Sequence, residues 1–297
     1  MIWTRLLALF SLAILVTSRA QEDDYANDDN IYELTPSNFD KVVHKSNYTT
    51  IVKFYAPWCG YCQQLKPTYK KLGKYIHDTA KYAVNVASVN CEKHKALCSQ
   101  HQIRGFPTLM VFRPPKHKSG KQARAQNHAN EVYQGERSVK SMTKFLTSRL
   151  KNYVTKFHNV KSQGIAQWFQ DEKPNVLLIT DANLISPLLK SIAIDFLERV
   201  NIGVITKLNL EPHIIEVDGT DVEIPAASKS TLFYFDKNNK KLVPYDKSDK
   251  LSDKEVISQW IIDKTKVQPI EGPLSKKEKK YYSKYRTGKR KVEHDEL

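Results

Sequence analysis

Two cysteines separated by two residues, Cys59 and Cys62, sit between a short β-type run, Ile51-Val52-Lys53-Phe54-Tyr55, and an apolar stripe of Cys62, Leu65, Tyr69, Leu72 and Ile76. The stripe advances in steps of three and four, the period of one helix face. The chain must therefore pass from strand to helix within a few residues, with a dithiol at the junction. A cysteine at a helix N-terminus meets unpaired backbone N–H groups and the positive end of the helix dipole, and both favour thiolate over thiol. The pattern predicts Cys59 as the attacking sulfur. Cys62, on the apolar face and within bridging reach, is the buried resolving one. Pro67 falls inside the same helix and is expected to kink it.

Residues 82–89 and 108–112 read as further strands, the second following Gly105-Phe106-Pro107, with a short helix at 92–100 between them. A polar, basic loop fills 113–130, Glu131-Val132-Tyr133 resumes a strand, and 138–150 reads as an amphipathic helix. Strands alternating with helices and closing on a strand pair argue an α/β sandwich. A second α/β pattern begins at Val176, with strands at 176–180, 202–210 and 231–235 and helices at 188–200 and 254–264. It contains no cysteine and echoes the element order of the first. A length of 297 residues fits two such domains, and four cysteines are too few to replace apolar cores with a disulfide scaffold. The expected division is a signal peptide at 1–20, a mobile acidic linker at 21–29, domains at 30–150 and 151–270, and a basic, Lys-rich tail at 271–297.

The leader has Arg5 before an apolar run from Leu6 to Val16, then Ser18 and Ala20, the grammar of a secretory signal peptide cleaved before Gln21. Its 11 apolar residues fall short of the roughly 20 that span a bilayer, and no other segment is long and apolar enough, so the chain is not expected to span a membrane. The last four residues, His294, Asp295, Glu296 and Leu297, form HDEL, an address read by a retrieval receptor of the endoplasmic reticulum. Both ends predict residence in the lumen of that compartment, where disulfides form and persist. The net charge is +15, or +13 once Arg5 and Arg19 leave with the leader. Such a charge would ordinarily raise nucleic acid as a partner, but genomic nucleic acid is absent from the lumen. Asn47-Tyr48-Thr49 is a candidate glycosylation sequon at Asn47. The tail reads as a solvated arm presenting the retrieval signal.

Other readings of the cysteines compete. C-x-x-C is half of a zinc site, and Cys91 with Cys98 could supply two more ligands. Structural zinc ligands usually come from loop knuckles, however, whereas Cys62 falls on an apolar helix face and Cys91 and Cys98 are spaced more widely than a knuckle. An inert Cys59–Cys62 bridge is the other alternative, and the strand-to-helix setting fits a redox pair better. No metal, nucleotide or flavin site is expected, and no cofactor.

The segment FYAPWCGYC, with Leu65 and Pro67 after it, then CEKHKALC, GFPTLMVF and YQGER, resembles the catalytic domain of the protein disulfide isomerase family. With the leader and HDEL, the chain is similar to the small fungal members that carry one catalytic domain. The resemblance implies a thioredoxin-like α/β fold, a catalytic domain followed by a second, Cys-free thioredoxin-like domain. It implies Cys59 as nucleophile, Cys62 as resolving thiol across Gly60 and Tyr61, and Cys91–Cys98 as a supporting disulfide. Pro107 would be the cis-proline facing the site, and the Phe106 backbone would pair with a client peptide as an added strand. Trp58 and Phe106 would form an apolar rim, and Arg137 would be a mobile arginine that swings toward Cys62.

Two positions depart from the family pattern. Tyr61 stands where the family usually has His, which offers a neutral phenol in place of a cation beside the thiolate. Lys53 stands where the family has a buried acid, six residues before the first cysteine. Strand alternation leaves open whether Lys53 turns inward or snorkels to water. The expected activity is formation, reduction or rearrangement of disulfides in unfolded or misoxidised secretory proteins, through a mixed disulfide at Cys59. Expected partners are glutathione or a thiol oxidase of the same compartment, the HDEL receptor, and an acidic lectin chaperone as a match for the basic charge. The rival reading is a holdase in which the Cys-free domain does most of the work.

Overall fold

The computed structural model describes residues 23–116, 128–247 and 250–278. The signal peptide expected at 1–20, the HDEL tetrapeptide and most of the basic loop lie outside the described residues. Strand β2 (Thr49–Tyr55) has every residue buried. It lies between β3 (Val84–Asn90), which it pairs in parallel, and β4 (Thr108–Arg113), which it pairs antiparallel. β1 (Tyr32–Glu33) extends the sheet beside β3, and β5 (Ala129–Val132) closes it antiparallel to β4. A strand covered on both faces loses the polar–apolar alternation that sequence reading depends on. Ile51 and Tyr55 pack with Cys62, Leu65, Tyr69 and Leu72 of α1 (Gly60–Lys74), while Val52 and Phe54 pack with Phe39, Val42, Val43 and Leu97 on the other face. α2 (Lys95–Gln100) lies in that second layer, and α3 (Val139–Ser148), N-capped by Ser138, joins the first.

The second half repeats this plan. Its strands are β6 (Thr155–Phe157), β7 (Asn175–Ile179), β8 (Asn201–Ile205), β11 (Thr231–Asp236) and β12 (Lys241–Pro244). The order β6-β8-β7-β11-β12 matches β1-β3-β2-β4-β5 strand for strand, with the same parallel and antiparallel pairings. This is the thioredoxin-like arrangement twice over. Helices α4 (Ile165–Gln170), α5 (Pro187–Asp195) and α6 (Lys254–Thr265) cover the second sheet. The strand expected at 202–210 ends at Ile205, and an antiparallel hairpin, β9 (His213–Val217) and β10 (Thr220–Ile224), is inserted after it. Its turn residues Asp218 and Gly219 both have positive φ, 51° and 70°, the geometry of a two-residue hairpin turn.

Two segments expected to be solvated are instead packed at their inner ends. In the acidic stretch, Tyr25 is buried, while Asp24 pairs with Lys66 and Asp23 with Lys93. One aromatic anchor and lysines on the folded surface supply what the segment's own composition lacks. At the start of the basic tail, Glu271 and Ser275 are buried. Gly272 turns at φ 83°, and a Cβ there would run into the Asp195 carboxylate. Asp195 joins the two halves: its carboxylate takes the Tyr48 hydroxyl at 2.6 Å from the first domain and the Lys254 ammonium at 2.7 Å from α6. The Ala83 N–H also donates to Ser191 Oγ at 2.8 Å.

Candidate active site

Cys59 is the N-cap of α1, with extended backbone angles, and its carbonyl accepts the first helical bonds from the N–H groups of Cys62 (3.0 Å) and Gln63 (3.1 Å). Its thiol donates to the Phe106 carbonyl at 3.5 Å. That contact sets the loop before β4 against the head of α1, and the Phe106–Pro107 peptide within it is cis. Trp58 and Tyr61 stand out from this floor at 69% and 70% exposure, and Trp58 meets Phe106 edge-to-face with centroids 6.2 Å apart. Gly60, also exposed, has open space where a Cβ would sit, so the rim between the cysteines is lined by Tyr61 alone. The result is a shallow apolar edge over Cys59, which is itself buried at 8% exposure.

Cys62 is fully buried one turn into the helix. Burial, with a hydrogen bond to Cys59, pushes its pKa up to about 12. Beneath it lies Lys53, which is inward-facing and has no solvent exposure. Its ammonium donates to the Tyr25 hydroxyl at 2.6 Å and to the Cys62 carbonyl at 3.0 Å, and it lies 4.9 Å from the Tyr25 ring centroid. Burial lowers the Lys53 pKa to about 8, against the pull of Cys62, Asp24 and Glu33. Pro67 lies inside α1 and cannot donate to the Gln63 carbonyl, leaving the turn next to the lysine short of one helical bond.

The remaining candidates fall elsewhere. Cys91 and Cys98 are joined by a disulfide with an S–S distance of 2.05 Å in the layer opposite α1, which makes them unavailable as zinc ligands. Arg137 is exposed, and its guanidinium donates to the Pro107 carbonyl at 3.4 Å, so here it rests on the proline loop. Asn47 is half-buried, and both its backbone N–H and its amide group donate to Glu271, at 3.1 and 3.4 Å. Tyr25, bonded to Lys53, also belongs to this site, and its one sign in the sequence is a lone aromatic within an acidic run. Among the described residues no cluster of His, Cys, Asp and Glu could hold a metal ion.

A helix-capping dithiol opposite a cis-proline, on a thioredoxin-like sheet, defines a dithiol oxidoreductase of the thioredoxin class. Residues 30–148 match the thioredoxin family model. Protein disulfide-isomerase MPD1 of Saccharomyces cerevisiae is 35% identical, over 97% of each chain. Protein disulfide-isomerase A6 of Mesocricetus auratus is 35% identical over 53% of this chain and 34% of its own, and the A6 homolog of Drosophila melanogaster is 38% identical over 44% and 27%. The chain belongs to the protein disulfide-isomerase family and is a thiol–disulfide oxidoreductase/isomerase. No helix among the described residues is long and apolar enough to cross a membrane.

Proposed function

We propose that the protein makes, breaks and rearranges disulfides of folding secretory proteins in the lumen of the endoplasmic reticulum. Cys59 carries the covalent step. The carrying observation is its position: a helix-capping sulfur 3.5 Å from the Phe106 carbonyl, ringed by exposed Trp58 and Tyr61. In the reductive direction the Cys59 thiolate attacks a client disulfide, forming a Cys59–client bond and releasing one client thiolate. Cys62 then attacks the Cys59 sulfur, and the second client thiolate leaves with the electron pair of the broken bond. The protein ends as the Cys59–Cys62 disulfide and the client gains two electrons. Run backward, the same steps oxidise a client. Glutathione or a thiol oxidase resets the pair.

The Phe106 backbone suits an extended client laid beside the proline loop, with Trp58 and Phe106 covering its apolar side chains. The leader and the HDEL tetrapeptide support lumenal residence and an HDEL receptor as partner. The basic charge suits an acidic lectin chaperone as a docking partner. The test is trapping in cells. Cys62→Ser should accumulate Cys59–client mixed disulfides that run as reducible high-mass species, and Cys59→Ser/Cys62→Ser should show none. Full function of the double variant in vivo would instead support the holdase reading.

A further inference from the structure

The turn that carries Trp58 is pinned by a side chain that the two-cysteine scheme does not use. Between the end of β2 and the head of α1 the chain turns over Ala56-Pro57-Trp58-Cys59, closed by the Cys59 N–H donating to the Ala56 carbonyl at 3.1 Å. Proline in the second place of such a turn presets its own φ but leaves the next peptide plane, Pro57–Trp58, two settings. They point the Pro57 carbonyl to opposite sides of the turn and aim the side chain of Trp58 differently. One of them needs a positive φ at Trp58, which is not among the residues with positive φ, so the turn holds the other.

Gln63, in the first turns of α1, secures that setting. Its side-chain amide donates to the Pro57 carbonyl at 2.7 Å, the short end of the range for N–H···O bonds, and its backbone N–H donates to the Cys59 carbonyl at 3.1 Å. One residue thus grips the chain on both sides of Trp58. Cys59 has further anchors: its N–H is on the Ala56 carbonyl, its carbonyl also takes the Cys62 N–H, and its thiol rests on the Phe106 carbonyl. Trp58 makes no hydrogen bond of its own among the described residues, stands 69% exposed, and meets the Phe106 ring edge-on with centroids 6.2 Å apart. The place of its ring is therefore set by the turn beneath it more than by packing.

We propose that Gln63 is a positioning residue for client docking: by fixing the Pro57–Trp58 peptide, its amide holds the Trp58 ring at the rim beside Cys59, where a client's apolar side chains arrive. This rests on the reading of Trp58 and Phe106 as the surface that covers those side chains. Without the amide bond the peptide plane is released, the ring takes several positions, and a client must order it on binding. That cost falls on docking. The exchange at Cys59, whose backbone and sulfur are anchored separately, does not carry it. Gln63 is exposed on a helix surface that Met or Lys occupies about as well, so the amide bond serves the turn and not the stability of α1.

The experiment compares variants of the full chain in parallel steady-state assays. One substrate is an uncharged, disulfide-bridged peptide with apolar residues beside its cysteines, and the other is oxidised glutathione. Gln63→Met keeps the side-chain length and loses the donor. Its KM for the peptide should rise about three- to tenfold, the range that one ordinary hydrogen bond covers, with kcat within about twofold of wild type. Glutathione sets no apolar side chain against Trp58, so its rate should fall far less. Gln63→Lys restores a donor and should return the peptide KM to within about twofold of wild type. In a Trp58→Ala background Gln63→Met should add nothing further, because it acts through the ring. A wild-type KM in Gln63→Met, a full added effect on top of Trp58→Ala, an equal loss with both substrates, or failure of Gln63→Lys to recover would each overturn the proposal. Trp58→Ala separates it from the reading beneath it. An unchanged peptide KM in Trp58→Ala would remove the rim as a client surface, whereas a raised KM there with none in Gln63→Met would remove the positioning role alone.

Discussion

Lys254→Met isolates the electrostatics of the domain junction. Asp195 and Lys254 are both buried, 2.7 Å apart, and the Tyr48 hydroxyl also donates to the carboxylate. Even with these partners, desolvation raises the Asp195 pKa from 3.8 to about 6. The folded state therefore binds more protons than the unfolded state between those values, so this carboxyl contributes less stability as pH rises through that window. At about 1.4 kcal/mol per pKa unit, the wild type loses about 3 kcal/mol from Asp195 between pH 3.8 and 6. Removing Lys254 takes away the cation that opposes desolvation, and the folded-state pKa rises further. Below pH 5 both proteins carry a protonated Asp195, and Met replaces the lysine stem at little cost, so their stabilities should agree within about 1 kcal/mol. Above pH 6 the wild-type carboxylate is ionised while that of the variant stays neutral, and the gap should widen by about 1.4 kcal/mol per pH unit, reaching nearly 3 kcal/mol at about pH 8. For a chain of this size that is a melting difference of about 5–10 °C. Urea and thermal unfolding of both proteins at pH 5 and pH 8 read the effect, to which buried Glu271, also held down by Lys254, adds in the same direction. An equal difference at the two pH values would refute the coupling.

Three further outcomes are expected. Replacing Cys91 and Cys98 by Ala opens a short loop and should lower stability by about 2–3 kcal/mol while leaving insulin reduction largely intact; loss of activity with an intact fold would give the pair a redox role. Tyr61→His places a cation beside Cys59, but at 70% exposure solvent screens it. A gain of about 0.5–1 kcal/mol in thiolate stability raises the reduction potential by roughly 10–20 mV, measured against glutathione, and a shift toward a more reducing potential would contradict the argument. Trp58→Ala should raise KM for an unfolded disulfide-bearing peptide and leave the rate with oxidised glutathione unchanged, which parallel steady-state assays would distinguish.

The dithiol and its helix were legible because their signal is local. The steps of three and four from Cys62 to Ile76 fix one helix face, and Cys59 then falls at its N-cap whatever the rest of the chain does. The matching second domain was legible in element order, since the strands recur in the same sequence around a different core. The β9–β10 hairpin carries its own signal, Asp218-Gly219 between β-type flanks, but the apolar residues from Ile202 to Leu210 read as one strand and mask where β8 ends. Lys53 was undecidable from alternation, since all seven residues of β2 are buried. Tyr25 and Glu271 were out of reach for a different reason. Each is held by residues far along the chain, Tyr25 by Lys53 and Glu271 by Asn47, and composition within either segment says nothing of those partners.

The two departures from the family pattern act on different sulfurs from opposite sides of α1. Tyr61 projects into solvent at the rim, within reach of whatever bonds to Cys59, whereas Lys53 is sealed beneath Cys62. A group that stabilises the Cys59 thiolate changes how readily the reduced pair forms, an equilibrium property read as a potential. A buried cation beneath Cys62 favours that thiolate by Coulomb attraction and changes how quickly a bound client is released. Its effect on the potential is smaller, because Cys62 is protonated at neutral pH in the reduced enzyme. The two substitutions should therefore separate cleanly. Tyr61→His should move the glutathione equilibrium and leave the rate of mixed-disulfide resolution unchanged, while Lys53→Met should slow that resolution and leave the equilibrium within about 10 mV of wild type. A double variant should show both effects at full size, because one side chain is screened by water and the other by the helix between them. Strong non-additivity in either readout would mean that the two cysteines titrate as one unit, and that Tyr61 and Lys53 regulate a shared proton.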